Sequence, residues 1–545
     1  MTSEAPEQPP TTPTPTEPPR TDVEKTLLSG STYRSLTELG RSGAEAKFEK
    51  GRRLVGWFLA PAVFLLFFFL PLDMPGAQQS LAAVLLGVVV LWICEPIPIP
   101  VGGLIGVSAI ILLGVAPSDE VLAPFGSTTI FTFIGAFILA QAMLKHGVAQ
   151  RIAFFVLGLP GVGRSTFRTI IAFGAVTCLL SAFVSNTATV AMLMPTALGI
   201  LTVIAKLMQD QRVVKPDFDP MTLRVGAALM LMLAYGASVG GLLTPVGSPP
   251  NLIGRGLIEE ATGERIGFGQ WMLTALPICL LMFVILAAVL MLINKPEVRR
   301  VEGVEEYIRN KRAEQGPMSR AEKNTVIAFS VTVSLWLVPA VVGLVSGINS
   351  EAYAVVDDRL NEGVAAVVGA ALLFILPVNW SKQQATLTWK DAGKIDWGTI
   401  LLFGTGIIFG AMLSGTGLAE TIGESAADTL GITSVFALTA FAVVLAIIIS
   451  ETTSNTASAA VVVPIIIPLA VATGVDPFVP ALAATFAASL GFMLPVSTPQ
   501  NAIVYGTGCV PMTRMIRSGI TFDIIGGLLI ILTMPAMVAL TNIGG

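Results

Sequence analysis

The stretch SAFVSNTAT at residues 181–189 returns as SETTSNTAS at residues 450–458, each time within an apolar part of the chain. A second pair follows in the same order, because PVGSPPN at residues 245–251 returns as PVSTPQN at residues 495–501. Both pairs bring hydroxyl, amide and helix-breaking residues into hydrophobic surroundings. Matching polar interruptions in two hydrophobic halves are the best sequence indication of the central binding site of a secondary transporter.

The composition of the chain indicates a polytopic membrane protein. Of its 545 residues, 53% are hydrophobic and 12% are charged, whereas about 25% are charged in an average soluble domain. The net charge of −4, with no basic stripe, argues against a nucleic-acid partner. His146 is the single histidine, and the four cysteines have no metal-ligand spacing. We therefore expect no zinc centre and no cofactor.

Hydropathy predicts an all-α fold with about 11 transmembrane helices, since a spanning helix needs about 20 mainly apolar residues. Two further apolar stretches, near 166–205 and 432–472, carry the Ser-Asn-Thr clusters at their middles. We predict that each is a re-entrant helical hairpin, and a pair of full spans around each cluster is the alternative. The predicted spans lie near 54–72, 80–97, 101–117, 128–145, 224–254, 270–293, 325–347, 363–378, 398–416, 478–508 and 519–541.

Loop charge predicts the orientation of the chain, because cytoplasmic loops carry the excess of Lys and Arg. Four basic residues lie within eight positions of the start of the first span, and eight lie in the loop after the sixth predicted span. Eleven spans with two hairpins put these loops on the inside and make the halves an inverted-topology repeat. The N-terminus is then cytoplasmic and the C-terminus extracellular, in the cell membrane. The loop near 255–265, with Arg255 and Arg265, fits this arrangement least well.

The same patterns predict the domain organisation. A Pro/Thr-rich tail is expected to be disordered, and a basic and acidic linker separates the two membrane halves. The first half contains the hairpin near 166–205 and a broken helix near 224–254, and the second contains the hairpin near 432–472 and a broken helix near 478–508. The predicted boundaries are 1–50 for the tail, 51–293 for the first half, 294–324 for the linker and 325–545 for the second half.

The paired motifs have a chemistry that suits ion and anion binding. Hydroxyl and carbonyl oxygens suit a small hard cation such as Na⁺, and the free N–H groups at a helix start suit an anion. No lysine or arginine is apparent in the motifs. A dianion in the middle of a membrane is costly without compensation. Bound Na⁺ would offset that cost and couple anion uptake to the sodium gradient.

At these residues the chain resembles the divalent anion/sodium symporter family, the INDY-type carriers of dicarboxylates, citrate and sulfate. The resemblance covers both hairpins, both Pro-rich breaks and the eleven-span layout, and residues 489–504 are similar to the family's sodium-symporter signature. It implies two Na⁺ sites and an anion site between them. It also implies a homodimer in the lipid bilayer that works by an elevator-type mechanism.

Carried over to this chain, the resemblance implies that Asn186 and Asn455 contact both cation and anion. The implied sodium ligands are Ser181, Ser185, Asn186 and Gly247 in the first half, and Ser450, Ser454, Asn455 and Ser497 in the second. The implied anion contacts are Asn186, Thr187, Ser248, Asn455, Thr456, Thr498 and Pro499.

Several alternatives remain at this point. The favoured function is sodium-coupled symport of succinate, malate and fumarate. The alternative mechanisms are a sodium-independent exchanger and a proton-coupled carrier, and the alternative substrates are citrate and sulfate. Gln500 stands where the first half has a second proline, which adds an amide that could tune specificity. Glu451 is either a coupling acid or a structural acid bonded to hairpin backbone. One interfacial histidine and unpaired carboxylates argue against an enzyme.

Overall fold

The structure, a computed structural model, describes residues 43–211, 222–299, 303–347, 350–422 and 434–543. The disorder predicted for the N-terminal tail falls mainly on residues 1–42, which lie outside the described residues, and the first helix begins at Gly43. The helices before the linker are α1 (Gly43–Phe69), α2 (Gly76–Cys94), α3 (Ile99–Leu112), α4 (Ser118–Leu122), α5 (Thr128–Lys145), α6 (Val148–Leu157), α7 (Thr166–Ser181), α8 (Asn186–Asp210), α9 (Arg224–Gly241), α10 (Pro249–Thr262) and α11 (Phe268–Ile293).

The predicted linker contains one helix, and the other remaining helices lie in the predicted second half or begin just before it. The remaining helices are α12 (Val304–Glu314), α13 (Arg320–Ser346), α14 (Glu351–Arg359), α15 (Glu362–Ile375), α16 (Trp389–Ala392), α17 (Trp397–Thr416), α18 (Val435–Thr452), α19 (Asn455–Ala472), α20 (Phe478–Ala487), α21 (Pro499–Gly506) and α22 (Met512–Thr541). Short 3₁₀ turns lie at Ala123–Gly126 and Pro245–Gly247, and β1 (Pro377–Asn379) pairs antiparallel with β2 (Gln384–Ala385).

Within the described residues, 11 helices are long and apolar enough to cross a membrane. The predicted all-α polytopic class is therefore confirmed, although the two sets of eleven are not identical. The predicted spans 101–117 and 363–378 coincide with the shorter helices α3 and α15, and 478–508 contains the two short helices α20 and α21. The long helices α8, α18 and α19 belong instead to the two predicted hairpins. Re-entry of the hairpins and the inverted repeat remain predictions.

Burial separates the central helices from the peripheral ones. In α9, 94% of the spanning window is buried, whereas in α1 only 11% is buried. Trp57 and Phe58 of α1 are among its exposed apolar side chains. A helix that is apolar on all sides belongs in a protein core or in lipid. We conclude that α9 lies at the centre of the molecule and that α1 presents its apolar side chains to the bilayer.

The two halves pack on each other in a reciprocal way. The first arm of each hairpin packs against the broken helix of its own half, α7 on α9 and α18 on α20. The segment after each break packs against the hairpin of the other half, α10 on α19 and α21 on α8. Each half therefore completes the surroundings of the other half's hairpin. Among the other helices, α1 packs on α2 and α5 on α15, whereas α17 packs on both α3 and α10.

The segment 255–265 differs from its prediction as a charged loop. Most of it is helical, as the end of α10. Arg255 is buried, and it pairs with Glu259 at 2.8 Å and with Glu362 at 2.6 Å. A buried, ion-paired arginine inside a helix is not a loop charge of the kind that fixes orientation. Only Arg265 remains as a loop charge here, and the orientation of the chain stays a prediction.

A polar cluster joins the end of α5 to the short β-hairpin and α16. The Lys145 ammonium donates to Asp391 over 2.7 Å, and this bond holds the pKa of the Asp391 carboxyl well below its usual range. His146 lies one residue on, where its Nε2 is 2.7 Å from the carbonyl oxygen of Thr386. Asn324 of α13 donates to the Thr386 hydroxyl over 2.8 Å. These bonds tie α5, α13 and α16 together at one end of the bundle.

Candidate functional site

The tip of the first hairpin brings three of the predicted sodium ligands close together. Helix α7 ends at Ser181 and α8 begins at Asn186. Ser185 caps α8, since its hydroxyl accepts a hydrogen bond from the backbone N–H of Ala188 at 3.3 Å. The Ser181 hydroxyl donates to the amide oxygen of Asn186 over 2.5 Å. This bond closes the tip and gathers side-chain oxygens at the start of α8.

The second hairpin repeats the same bonds. The Ser450 hydroxyl donates to the amide oxygen of Asn455 over 2.8 Å. Ser454 caps α19 by accepting from the backbone N–H of Ala457 at 3.2 Å. Each serine thus stands five residues before its asparagine and contacts the same atom of it in both halves. The repetition found in the sequence is also a repetition of contacts.

The tip of the second hairpin also contacts its own broken helix. Ser450 donates to the carbonyl oxygen of Ala488 over 2.8 Å, and Asn455 donates to that of Ser489 over 3.3 Å. Both carbonyls lie just beyond the end of α20, where the backbone leaves the helix. Backbone oxygens that have left a helix need other partners inside a membrane. Here the hairpin supplies those partners.

A glycine of each broken helix lies against the asparagine of the hairpin in its own half. A Cβ added at Gly241 would lie 2.5 Å from the amide oxygen of Asn186. A Cβ added at Gly491 would lie 2.9 Å from the amide oxygen of Asn455. Neither position has room for a methyl group, so glycine is required by the close approach of the backbone. Each asparagine is therefore held between its hairpin serine and the break.

A second pair of asparagines fixes the two breaks. The Nδ2 of Asn251 donates to carbonyl oxygens at 2.7 and 2.8 Å, and that of Asn501 to carbonyl oxygens at 2.9 and 3.1 Å. In both cases the acceptors stand ten and seven residues earlier; they are Gly241 and Thr244, and Gly491 and Leu494. Both amide oxygens are buried without a hydrogen-bond partner in the described part of the chain.

The two breaks differ at one predicted ligand. A Cβ at Gly247 would lie 2.5 Å from the carbonyl oxygen of Gly241 and 2.9 Å from that of Ala182. A side chain does not fit there, because the backbone approaches this position closely. At the corresponding position of the second half, the Ser497 hydroxyl contacts the backbone carbonyl of Glu451 at 3.1 Å and its carboxylate at 2.7 Å. The two halves are therefore alike in backbone and different in side-chain oxygens.

Glu451 stabilises the second break through hydrogen bonds of its carboxylate. One of its carboxylate oxygens accepts from the backbone N–H of Met493 at 2.7 Å, and the other accepts from Ser497. The residue is 2% exposed. The hydrogen-bonded acid expected from the sequence thus has its backbone partner in the broken helix and not in the hairpin. This contact fixes the distance between the hairpin tip and the break.

The residues predicted to contact an anion lie at the starts of four helices, α8, α10, α19 and α21. Thr187 and Thr456 are partly buried beside the two hairpin asparagines. Ser248 and Thr498 are buried at the residues before α10 and α21, and Pro499 is exposed. The start of a helix carries a partial positive charge and free N–H groups. The arrangement can therefore hold a carboxylate without a lysine or arginine.

One basic residue that the sequence did not indicate reaches a hairpin tip. Arg52 of α1 donates to the carbonyl oxygen of Thr452, at the end of α18, over 3.2 Å. The same guanidinium pairs with Glu95 at 3.3 Å. Because Arg52 and Thr452 stand 400 residues apart, no local pattern links them. The second hairpin tip thus contacts a helix of the peripheral group.

Gln500 has a partner that its position in the sequence does not indicate. Its side-chain amide donates to the hydroxyl of Ser238 in α9 over 3.0 Å, and the residue is 2% exposed. The sequence suggests that this amide tunes specificity. In the structure its N–H group joins the two broken helices.

Sequence reasoning also passed over four residues that shape the site. They are Gly241, Asn251, Gly491 and Asn501, whose contacts are described above. A signal for them exists in the sequence: both asparagines close the repeated Pro-rich motifs, and a glycine stands ten residues before each.

A cavity of about 590 Å³ lies elsewhere, between α4, α10 and α17. Its lining includes Glu120, Ser127, Glu259, Arg265 and Met412. None of the residues predicted to bind sodium or anion lines it. This cavity therefore does not belong to the candidate site.

The chain is similar to known membrane transporters over most of its length. The sequence model of the family described as "Sodium:sulfate symporter transmembrane region" matches residues 52–540. Two relatives are named "Sodium-dependent dicarboxylate transporter SdcS". The one from Staphylococcus saprophyticus is 31% identical over 494 residues, covering 89% of this chain and 91% of the relative. The one from Staphylococcus aureus is 30% identical over 505 residues, covering 92% and 94%.

Among solved structures, a similar fold occurs in Neisseria gonorrhoeae MtrF, described within a class of antimetabolite efflux pumps. The two chains align with a TM-score of 0.52 at 13% identity, covering 86% of this chain and 97% of MtrF. At this identity the likeness concerns the fold alone.

Proposed function

This chain belongs to the sodium:sulfate symporter family, and from that membership we propose that it takes up dicarboxylates together with Na⁺. The family and the relatives are transporters and not enzymes. The names of the two relatives support sodium dependence and dicarboxylates as the substrate class. Within that class we propose the C4-dicarboxylates succinate, malate and fumarate, carried into the cell across its membrane.

The observation that carries this proposal is the repeated bond from Ser181 to Asn186 and from Ser450 to Asn455. Each bond gathers a hydroxyl and an amide oxygen beside the backbone of a break. Such a set of neutral oxygens suits Na⁺, and it occurs once in each half. We propose one Na⁺ at each hairpin tip. The ligands are Ser181, Ser185, Asn186 and Gly247 for the first ion, and Ser450, Ser454, Asn455 and Ser497 for the second.

The anion is proposed to lie between the two tips. Asn186 and Asn455 would contact both the ions and the anion, together with Thr187, Ser248, Thr456, Thr498 and Pro499. The helix starts at which these residues lie favour a negative charge. A dianion without compensation is costly at this depth. Two sodium ions would neutralise it, which is the physical reason for coupled uptake.

We further propose an elevator-type movement in a homodimer. The reciprocal packing of α10 on α19 and of α21 on α8 supports a transport unit made from both halves. The helix pair α5 with α15 is the proposed scaffold, and α17, which packs on both α3 and α10, is proposed to lie at its boundary with the transport unit. The contact of Arg52 with the second hairpin tip would have to break when the transport unit moves.

The test is uptake of radiolabelled succinate into proteoliposomes, with an inward Na⁺ gradient compared with an equal K⁺ gradient. We expect uptake only with Na⁺, and its loss in Asn186→Ala and in Asn455→Ala. Asn379→Ala is the matched control, because Asn379 lies in β1 and caps a turn by accepting from Lys382 N–H at 3.2 Å.

Equal uptake in K⁺, rising only when the vesicles are preloaded with dicarboxylate, would contradict symport and indicate an exchanger. Uptake that follows a proton gradient would indicate a proton-coupled carrier. If succinate is not taken up at all, labelled citrate and sulfate replace it in the same vesicles.

A further inference from the structure

Asp523 of α22 is a buried carboxylate that the proposed sodium and anion sites do not use. The residue is 3% exposed. Both of its carboxylate oxygens are buried without a hydrogen-bond partner in the described part of the chain. Buried polar groups are nearly always hydrogen-bonded, and a charged group among membrane helices is costly unless it is compensated. These two open oxygens therefore indicate a missing partner.

The packing of α22 determines where Asp523 lies. A Cβ at Gly519 would come within 2.5 Å of the carbonyl oxygen of Phe492 and of the backbone nitrogen of Met493. The helix thus lies directly on the second break. Asp523 follows Gly519 by one helical turn and shares its face. The neighbouring ring of Phe522 packs on that of Phe492 with centroids 4.9 Å apart.

Glu451 reaches the same place from the hairpin side. Its carboxylate accepts from the backbone N–H of Met493 at 2.7 Å, and it interacts electrostatically with Asp523. Two carboxylates therefore converge on the backbone of Phe492 and Met493. Like charges this close in a membrane protein need a proton or a cation between them.

The backbone N–H of Phe492 lies at Asp523, but a neutral donor does not offset two like charges. The contacts of the two carboxylates include no lysine or arginine among the described residues. The Tyr235 hydroxyl of α9 donates to backbone, 2.6 Å from the carbonyl oxygen of Phe492 and 3.3 Å from that of Met515. The Ser497 hydroxyl points to Glu451. Asp523 lies within hydrogen-bond reach of Glu451 and of the backbone of Phe492, and the two carboxylates therefore need a proton or a cation between them.

We propose that Asp523 and Glu451 form a further binding site for a monovalent cation, on the α22 side of the second break. Carboxylate oxygens are the ligands that hard cations prefer. The identification of the ion as Na⁺ rests on the proposed function. The site is distinct from the one at the second hairpin tip, which uses hydroxyl, amide and backbone oxygens, although Ser497 borders both. A cation here would hold α22, the hairpin and the break together.

The test is equilibrium binding of radioactive ²²Na⁺ to the purified full-length protein in detergent, without any anion. We expect Asp523→Asn to bind one Na⁺ fewer per chain than the wild type. Asp358→Asn is the matched control, because it removes one acidic group from an exposed position on α14. Asn186→Ala should lose a different ion, and combining it with Asp523→Asn should lose both.

Unfolding temperature separates loss of the site from loss of the fold. Asp523→Asn removes one member of a buried carboxylate pair, so in K⁺ it should be at least as stable as the wild type. Adding Na⁺ should then stabilise Asp523→Asn less than it stabilises the wild type.

Two outcomes overturn the inference. Only the second of them also overturns the proposed sodium coupling. If Asp523→Asn binds as many Na⁺ ions as the wild type, the further site is wrong while sodium symport stands. A proton shared by Asp523 and Glu451 would then be the compensating charge. If the wild type itself binds no Na⁺, the proposed sodium coupling fails together with the site.

Discussion

The side-chain amide of Gln500 donates to the hydroxyl of Ser238 over 3.0 Å and so joins the second broken helix to the first. Both residues are buried, at 2% and 1% exposed. The bond lies between the two halves at the level of the breaks. It is the kind of contact that would make two halves move as one body.

The first prediction concerns this bond. In Ser238→Ala the amide of Gln500 stays buried and loses its acceptor, which costs about 1–3 kcal/mol. We expect a lower unfolding temperature for the purified protein. Ser108→Ala is the control, because the exposed Ser108 hydroxyl only bonds the carbonyl oxygen of Leu104 in its own helix. An equal effect of both variants would contradict a role for the bond between the halves.

The second prediction concerns the two glycines beside the hairpin asparagines. In Gly241→Ala and Gly491→Ala the new methyl group meets the amide oxygen of Asn186 or Asn455. We expect the Na⁺ concentration for half-maximal succinate uptake to rise about ten-fold or more, which corresponds to about 1.4 kcal/mol of lost binding energy.

Gly406→Ala is the matched control for these variants. Gly406 is buried in α17, but an added Cβ there has no neighbour within 4 Å. Its Na⁺ dependence should equal that of the wild type. Unchanged Na⁺ dependence in Gly241→Ala and Gly491→Ala would show that the asparagine oxygens do not bind the ion.

The third prediction concerns the asparagines that fix the breaks. Asn251→Ala and Asn501→Ala each remove a donor from two carbonyl oxygens. The oxygens of Thr244 and Leu494 keep a backbone N–H donor, so the carbonyl that loses its donor is that of Gly241 or Gly491. Each unsatisfied carbonyl costs about 1–3 kcal/mol. Thermal unfolding should begin at a clearly lower temperature than in Asn361→Ala, which removes only the cap of α15 and costs about 1 kcal/mol. Equal losses in all three variants would contradict the role assigned to the breaks.

The fourth prediction concerns pH and the pair of Lys145 and Asp391. The pair lowers the pKa of Asp391 in the folded protein. Its stabilisation is therefore fully present above the ordinary carboxyl pKa of about 4 and is lost as pH falls through the lower folded value. Because Lys145 is 35% exposed, solvent screens the pair and limits it to about 1 kcal/mol or less.

Asp391→Asn tests this pair by unfolding at a series of pH values. The variant should be slightly less stable than the wild type at neutral pH, and the difference should shrink below about pH 4. High salt should also reduce it. A difference that grows on acidification would reverse the sign and contradict the assignment.

Local patterns predicted the apolar helices of the molecule. Hydropathy indicates apolar helices, and a serine before Asn-Thr marks the start of α8 and α19. A hydropathy profile gives the length of an apolar segment but not its neighbours in the fold. It therefore did not indicate that α20, with 10 residues, is short and buried. The 3.6-residue helical period does not predict which asparagine side chain donates to which carbonyl oxygen.

These local patterns could not predict contacts between residues that lie far apart in the chain. Arg52 meets Thr452, and Glu451 interacts with Asp523, only because the helices pack in a particular way. The partners of Arg255 also come from packing, since Glu362 lies 107 residues away. The sequence alone therefore read Arg255 as a loop charge. The glycines at 241 and 491 are the exception, since their common spacing to an asparagine could have been noticed.

The packing of α10 on α19 has a consequence for how the chain is made. About 190 residues separate the end of α10 from the start of α19, which corresponds to about 10–40 s of translation at roughly 5–20 residues per second. During that time α10, which carries Asn251 and Arg255, has left the ribosome, but the helices of the second half that it packs against have not yet been synthesised. Glu362, which will pair with Arg255, emerges only partway through the wait. Biosynthesis of the first half must therefore include a waiting state, in which the insertion machinery or the headgroup region shelters α10 until the second half arrives.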